Sequence, residues 1–295
     1  MKKNIKRYYN RYKLQIFYVY IIFSLIVLAF GIYAHQKETR VTITTVAPTP
    51  SVIPLVTPTP TLPPQVESYE VPILMYHYIR PAPADIAGQR LSVSPEIFEN
   101  QVRWLKENSY ISIKMSDLAD PNKKEISEIY AEHDKPIALT FDDGYDDAYS
   151  TVFPILEKYQ FYGTFYIIRN FVGENRYVTQ NQIDQMAAAG MEIGSHTLNH
   201  QDLTKVNLIE ARHQIFNSKE NAQTFCYPSG KFNLAVENLV KEAGYVDATT
   251  TQFGIANEKS NLFELPRLRM SNMGLDQFKE EVEGRGIKTN DPKTL

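Results

Sequence analysis

The sequence predicts an α/β barrel of about seven strand–helix units, and three observations carry that prediction. Short apolar segments alternate with amphipathic ones from residue 71 onward. Buried strands that alternate with helices pair in parallel, because parallel strands need crossover connections. His77, Asp142, Asp143, Ser195, His196, Pro228 and Arg267 fall at the C-terminal ends of the apolar segments, where βα barrels build their sites. No Gly-x-Gly-x-x-Gly or phosphate-loop pattern follows any strand, so a dinucleotide fold has no support.

Each element follows from its own signals. Residues 71–76 form a short apolar strand. Residues 94–107 form an amphipathic helix that opens on Ser94-Pro95, with Phe98, Val102 and Leu105 inward. The next strand is 136–141, and Asp146 caps a helix carrying Ala148, Val152, Ile155 and Leu156. Strand 163–168 leads to helix 179–189, which ends at Gly190. Strand 191–194 precedes helix 207–219, and strand 224–227 precedes helix 233–243, which stops at Gly244. Strands 248–251 and 263–268 follow, with a last helix from Leu275.

The barrel occupies residues 67–295, and three regions precede it. Residues 1–15 carry Lys2, Lys3, Lys6, Arg7, Arg11 and Lys13 with no acid among them. Residues 16–34 are a charge-free apolar run of 19, long enough to span a hydrocarbon core of about 30 Å as a helix. The positive-inside rule puts the N-terminus in the cytoplasm and the barrel outside. A cleaved signal peptide fits less well, since Gly31-Ile32-Tyr33-Ala34-His35 is a poor cleavage site. Residues 35–66 are a linker whose stretch 41–66 holds seven prolines and seven threonines, a composition that favours extended polyproline II. A spacer through a cell wall and a tether of no particular length fit that composition equally.

Six of the 31 basic residues lie in the first 13 positions, which leaves 25 basic against 34 acidic residues, net −9. That balance argues against nucleic acid as a partner, and the sequence names no protein partner. The single Cys226 excludes an intramolecular disulfide. An outward-facing domain without one suits a Gram-positive-type bacterial cell membrane.

The chemistry gathers in two segments. Ala138-Leu139-Thr140-Phe141-Asp142-Asp143-Gly144 is a strand that ends in adjacent carboxylates. Ser195-His196-Thr197-Leu198-Asn199-His200 sets two imidazoles four residues apart, which on a helical turn share one face. One carboxylate and two histidines make a three-ligand metal site with an open position, and the other carboxylate can act as base. Acids after a strand are often helix caps. Here Asp146 and Asp147 are better placed to cap, which frees the earlier pair. A structural zinc site would need a fourth protein ligand, and none is evident.

Thr140-Phe141-Asp142-Asp143-Gly144 and Ser195–His200 resemble the first two motifs of the NodB-type polysaccharide deacetylases, carbohydrate esterase family 4. The resemblance covers about residues 71–270. It implies a deformed (β/α)7-type barrel that removes acetyl groups from N-acetylglucosamine polymers with a divalent metal. Zinc is the first expectation from the two imidazoles, with cobalt or nickel fitting nearly as well. Position by position it implies Asp142 as general base and Asp143, His196 and His200 as metal ligands. Phe225-Cys226-Tyr227-Pro228-Ser229-Gly230 matches the family's aromatic Pro-x-Gly loop, with the Ser229 N–H as oxyanion donor. That loop lacks the family's usual arginine, and Arg267 can hold Asp142 in its place. Most members also carry a late histidine as general acid, whereas this chain has none after His213. Met75-Tyr76-His77-Tyr78 resembles the poly-N-acetylglucosamine deacetylase branch, which takes that histidine from an early strand, so His77 is the expected acid. Tyr145, Tyr227 and Pro228 at the barrel mouth are the expected sugar contacts. Trp104 and most tyrosines are core, and His35, His133 and His213 are read as peripheral. The polymer is expected to be peptidoglycan or a surface poly-N-acetylglucosamine. An O-acetyl xylan-type esterase and a non-catalytic glycan-binding protein are the rival readings.

Overall fold

In the computed structural model, the described residues are 68–81, 90–132 and 134–284. The expected tail, apolar run and linker at 1–66, with His35 and His133, lie outside them. Among the described residues no helix is long and apolar enough to cross a membrane.

Seven parallel strands close a ring. They are β1 (Ile73–Tyr76), β3 (Lys135–Phe141), β4 (Thr164–Ile167), β5 (Glu192–Ser195), β6 (Thr224–Cys226), β7 (Asp247–Phe253) and β8 (Leu265–Arg269). The order is β1-β8-β7-β6-β5-β4-β3, closed by β3 against β1. An added strand, β2 (Tyr110–Ile113), pairs with the start of β3 through Lys135 to Ala138. β3 then reaches β4 only through Thr140 and Phe141. That wedge is the deformation of the barrel. β3 is buried along six of its seven residues, as a strand covered on both faces must be.

Helices α1 (Pro95–Glu107), α2 (Lys124–Ala131), α3 (Phe153–Tyr159), α4 (Gln180–Ala188), α5 (Leu208–Phe216), α6 (Leu234–Glu242) and α7 (Leu275–Val282) complete the units. Their starts are set by side-chain caps. Ser94, Thr179, Asn207 and Asn233 each accept the backbone N–H three residues on. The expected Asp146 cap does not form. The turn at Ala148–Val152 has no side-chain cap, and Asp147 instead accepts the N–H of Ile79 at 3.1 Å.

Strand alternation sorts the side chains. Leu74, Tyr76, Leu139, Phe141, Phe165 and Leu268 face outward into a core with Phe98, Trp104 and Phe278 from the helices. Phe225 and Tyr227 join Val236 and Val240 in a second outer core. Ile73, Ala138, Tyr166, Cys226 and Leu265 share an inner cluster, so Asp142 and Arg267 also point into the barrel. Burial of this apolar surface, at roughly 25 cal/mol per Å², holds the ring together.

Candidate active site

The site is built from strand ends at the C-terminal mouth. Asp142 continues β3, and its N–H donates to the Tyr76 carbonyl at 2.9 Å. The chain then turns left-handed at Asp143 (φ 75°) and Gly144 (φ 77°), which sends the two carboxylates in different directions. His196 and His200 meet through a turn, not the expected helical one. Thr197 (φ 65°) and His200 (φ 56°) are left-handed, and the His200 N–H donates to Thr197 Oγ1 at 2.9 Å. With Ser229 at φ 54°, the site holds four of the nine non-glycine residues of positive φ among the described residues. Backbone strain of this kind persists where surrounding structure enforces it, commonly at functional sites.

Arg267 holds Asp142 in a fork. Its Nη1 and Nη2 donate to Oδ1 and Oδ2 at 2.8 Å each. The guanidinium is fully buried and also donates to the Thr250 carbonyl, Thr140 Oγ1 and Cys226 Sγ. Burial pushes the Asp142 carboxyl up, but the charge and hydrogen bonds of Arg267, with His77 and His196, pull it well below the usual carboxylate range. The sequence-derived pairing of Arg267 with Asp142 is thus the geometry found.

Asp143 is the other centre. Its Oδ1 lies 3.4 Å from His196 Nε2 and 3.6 Å from His200 Nε2. His196 Nδ1 lies 2.7 Å from the Cys226 carbonyl, so that nitrogen donates there and Nε2 faces Asp143. This is how metal-binding imidazoles are usually oriented. Burial works to raise the Asp143 carboxyl, and the hydrogen bond and charge of His196 bring it below its ordinary value.

The donor set fits a divalent ion. One oxygen of Asp143 and one nitrogen each of His196 and His200 lie within 4.8 Å of one another. Asp142, His196 and Cys226 also lie within that span. There, however, Arg267 already occupies both Asp142 oxygens and the thiol. The residues free to hold a cation are Asp143, His196 and His200.

His77 follows β1, with Nε2 3.8 Å from Asp142 Oδ2. Burial lowers its pKa, Asp142 and Asp143 work to raise it, and Arg267 and Arg269 add to the lowering, which prevails. His77, Asp142, Asp143, His196 and His200 open on one cavity of about 230 Å³, with Ser229, Leu91, Tyr227, Thr251 and Arg269 also in its walls. A larger cavity of about 370 Å³ lies between α4 and residues 218–223. Its arginine, Arg169, is engaged by Glu220 at 2.6 Å, and neither cation-binding group touches it.

The expected sugar contacts fare differently. Tyr227 edges the cavity but is fully buried, because Cys226 faces inward and its neighbours on β6 and beyond face the helices. Its ring stacks on Phe232 at 4.8 Å and is not free to stack on a sugar. Pro228 is buried and is not among the cavity walls. Tyr145 is half-buried in an aromatic cluster, stacked on Tyr177 and hydrogen-bonded to the Tyr78 hydroxyl at 2.8 Å. Sequence reasoning missed Thr251 and Arg269. The signal for Arg269 was its spacing of two from Arg267 on a strand.

A polysaccharide deacetylase profile matches residues 130–248, which include both carboxylates and both site histidines. YxkH of Bacillus subtilis, whose name places it among polysaccharide deacetylases, is 30% identical over 214 residues, covering 68% of this chain and 72% of that one. The chain belongs to the polysaccharide deacetylase family. A Staphylococcus aureus relative, a poly-β-1,6-N-acetyl-D-glucosamine N-deacetylase, is 24% identical over 215 residues, 65% of this chain and 72% of that protein. The deacetylase PplD of Streptococcus pyogenes, solved with acetate, superposes with a TM-score of 0.64 at 27% identity, over 72% of this chain and 98% of that one. Family membership and the site coincide, since the matched segment supplies every residue of the cation-binding set.

Proposed function

We propose that this protein is a metal-dependent N-deacetylase acting on N-acetylglucosamine residues of a cell-wall or surface polysaccharide, either peptidoglycan or poly-N-acetylglucosamine. One observation supports this above the rest. A three-donor cation set, a carboxylate gripped by a buried arginine and a half-buried histidine share one cavity. The Staphylococcus aureus relative supports an N-acetylated polymer as the substrate class.

Asp143, His196 and His200 would hold the ion, which supplies Lewis acidity toward an acyl oxygen when bound. Zinc is the first choice for this donor set, with cobalt or nickel next. Asp142 is kept ionised by Arg267 and takes a proton from the attacking water. The Ser229 N–H donates to the developing oxyanion. His77 gives its proton to the departing nitrogen. The C–N bond breaks, and the products are acetate and a glucosamine residue.

We also place the barrel outside the cell, held by residues 16–34 and raised on the linker. External protease on intact cells should then release a fragment of barrel size, and protection of the barrel would refute the topology.

The fragment from residue 67 onward tests the activity. Acetate release is measured on N-acetylglucosamine oligomers, peptidoglycan and acetylated xylan. Release from xylan alone would convert the enzyme into an O-acetyl esterase, and release from none would leave a glycan-binding protein. His77→Ala sharpens the reading, since an unprotonated amine anion is a far worse leaving group than a phenolate. The variant should lose much more activity on N-acetylglucosamine oligomers than on an aryl acetate, with metal content unchanged. Equal losses on both would mean that His77 positions and does not protonate.

A further inference from the structure

The cavity contains a cation that the deacetylation chemistry leaves unused. Arg269 ends β8, two residues beyond Arg267. Side chains two apart on a strand share a face. Arg267 therefore fills the interior, and Arg269 stands one layer above it at the mouth, in the cavity wall with His77, Ser229 and Thr251. It is exposed, whereas Arg267 is fully buried. Among the described residues its side chain has no hydrogen-bond or ion-pair partner. Arg169 and Arg212, by contrast, are each engaged by a glutamate at 2.6 Å.

Neither acid nearby is free to satisfy it. Asp142 has both oxygens on Arg267, and Asp143 faces the two imidazoles. Partial desolvation at the mouth and the Arg267 charge both work against the Arg269 charge, with only Asp142 in its favour. A guanidinium so placed is matched by an anion brought from outside, through two N–H donors to a carboxylate or phosphate.

We propose that Arg269 is an anion subsite that receives a carboxylate or phosphate carried by the glycan beside the acetamido sugar. The inference rests on the deacetylase reading and narrows its substrate. A neutral N-acetylglucosamine homopolymer has no group for this subsite, whereas a wall glycan with an acidic substituent near each acetamide does. The acidic balance of the chain after its basic N-terminus, net −9, weighs against dense polyanions at long range. A single local cation suits isolated anionic substituents.

Acetate release is measured for the wild type, Arg269→Gln and Arg269→Lys on three substrates. They are a neutral N-acetylglucosamine pentamer, a peptidoglycan strand bearing lactyl carboxylates, and a strand bearing phosphate esters. Arg269→Gln should lower the anionic-to-neutral ratio of kcat/KM by about tenfold, mostly through KM, as expected for one lost charge-assisted contact. Arg269→Lys should recover part of that ratio, because it keeps the charge but not the fork. A drop confined to the lactyl strand identifies a carboxylate, and one confined to the phosphorylated strand identifies a phosphate. An unchanged ratio overturns the subsite, as does an equal loss on all three substrates, which would make Arg269 a positioning residue. If the wild type releases no acetate from any of them, the deacetylase reading fails. The subsite is then judged by calorimetric binding of the lactyl strand to wild type and Arg269→Gln, where equal affinities overturn it.

Discussion

The two ends of the barrel hold carboxylates in opposite states. At the mouth, Asp142 is buried yet drawn well below the usual range, because Arg267 meets it with two N–H groups. At the floor, β4, β5, β6 and β7 begin with Thr164, Glu192, Thr224 and Asp247, which make a polar layer. Thr164 donates to Glu192 at 2.7 Å, and Thr224 donates to Asp247 Oδ1. Among the described residues Asp247 Oδ2 has no partner. Burial pushes the Asp247 carboxyl well above its ordinary value, and Glu192 and Asp117 add to the rise. Depth is similar at both ends, so the contacting cation decides the charge state. A mouth that pairs Asp142 with a buried cation suits chemistry, and a floor that buries Asp247 without one suits stability.

The largest expected break in this contrast is at the mouth. A double variant, His196→Ala with His200→Ala, should lose bound metal and all activity. Asp142→Asn should keep the metal and lose ~10²–10⁴-fold in rate, the usual contribution of a general base. Metal analysis beside acetate release separates the two outcomes. Loss of metal from Asp142→Asn would exchange the roles of the two aspartates.

A second variant makes the mouth resemble the floor. Arg267→Met leaves Asp142 buried without its cation, and should cost roughly 3–5 kcal/mol in urea unfolding at neutral pH. Adding Asp142→Asn should restore most of it. The pH dependence should also change sign. Wild-type Asp142, with its folded pKa depressed, contributes stability above its unfolded pKa near ~3.9 that is lost as pH falls. In Arg267→Met that contribution is absent, and acidification toward that value should stabilise the fold.

The smallest effect is at Asp147, which lies between the two extremes. Its Oδ2 accepts the Ile79 N–H, while Oδ1 is buried and has no partner among the described residues. Burial raises its pKa to about 6, against the pull of Arg80. The folded protein therefore binds the extra proton between about pH 4 and 6, and stability falls as pH rises through that window. Asp147→Asn should remove the penalty, with a gain of up to roughly 3 kcal/mol at pH 8 and none below pH 4, read from denaturation at both pH values.

Much of this was legible in the sequence, for identifiable reasons. Parallel strands buried on both faces are apolar runs, and helices opened by Ser94, Thr179, Asn207 and Asn233 announce their starts. The paired aspartates and histidines are contiguous motifs, so they survive without a structure. β2 and α2 were not seen. β2 is four residues long, and α2 starts from a left-handed Lys123 with no side-chain cap. Tyr227 was misjudged because position at a strand end does not reveal which face a side chain takes. The polar floor was invisible because a threonine or acid at a strand start looks like a turn residue.

The Asp142–Arg267 pair also imposes an order of assembly. Its partners are 125 residues apart, and the arginine arrives on the last strand of the ring. Contacts of such long range form late in folding, after the entropy of closing the intervening chain has been overcome. A chain not yet complete, without β8, holds Asp142 either in water or unpaired in an unfinished barrel, and the second state is costly. Ring closure and charge pairing of the Asp142 carboxylate are therefore one event, and a chain truncated before β8 has no route to a complete mouth.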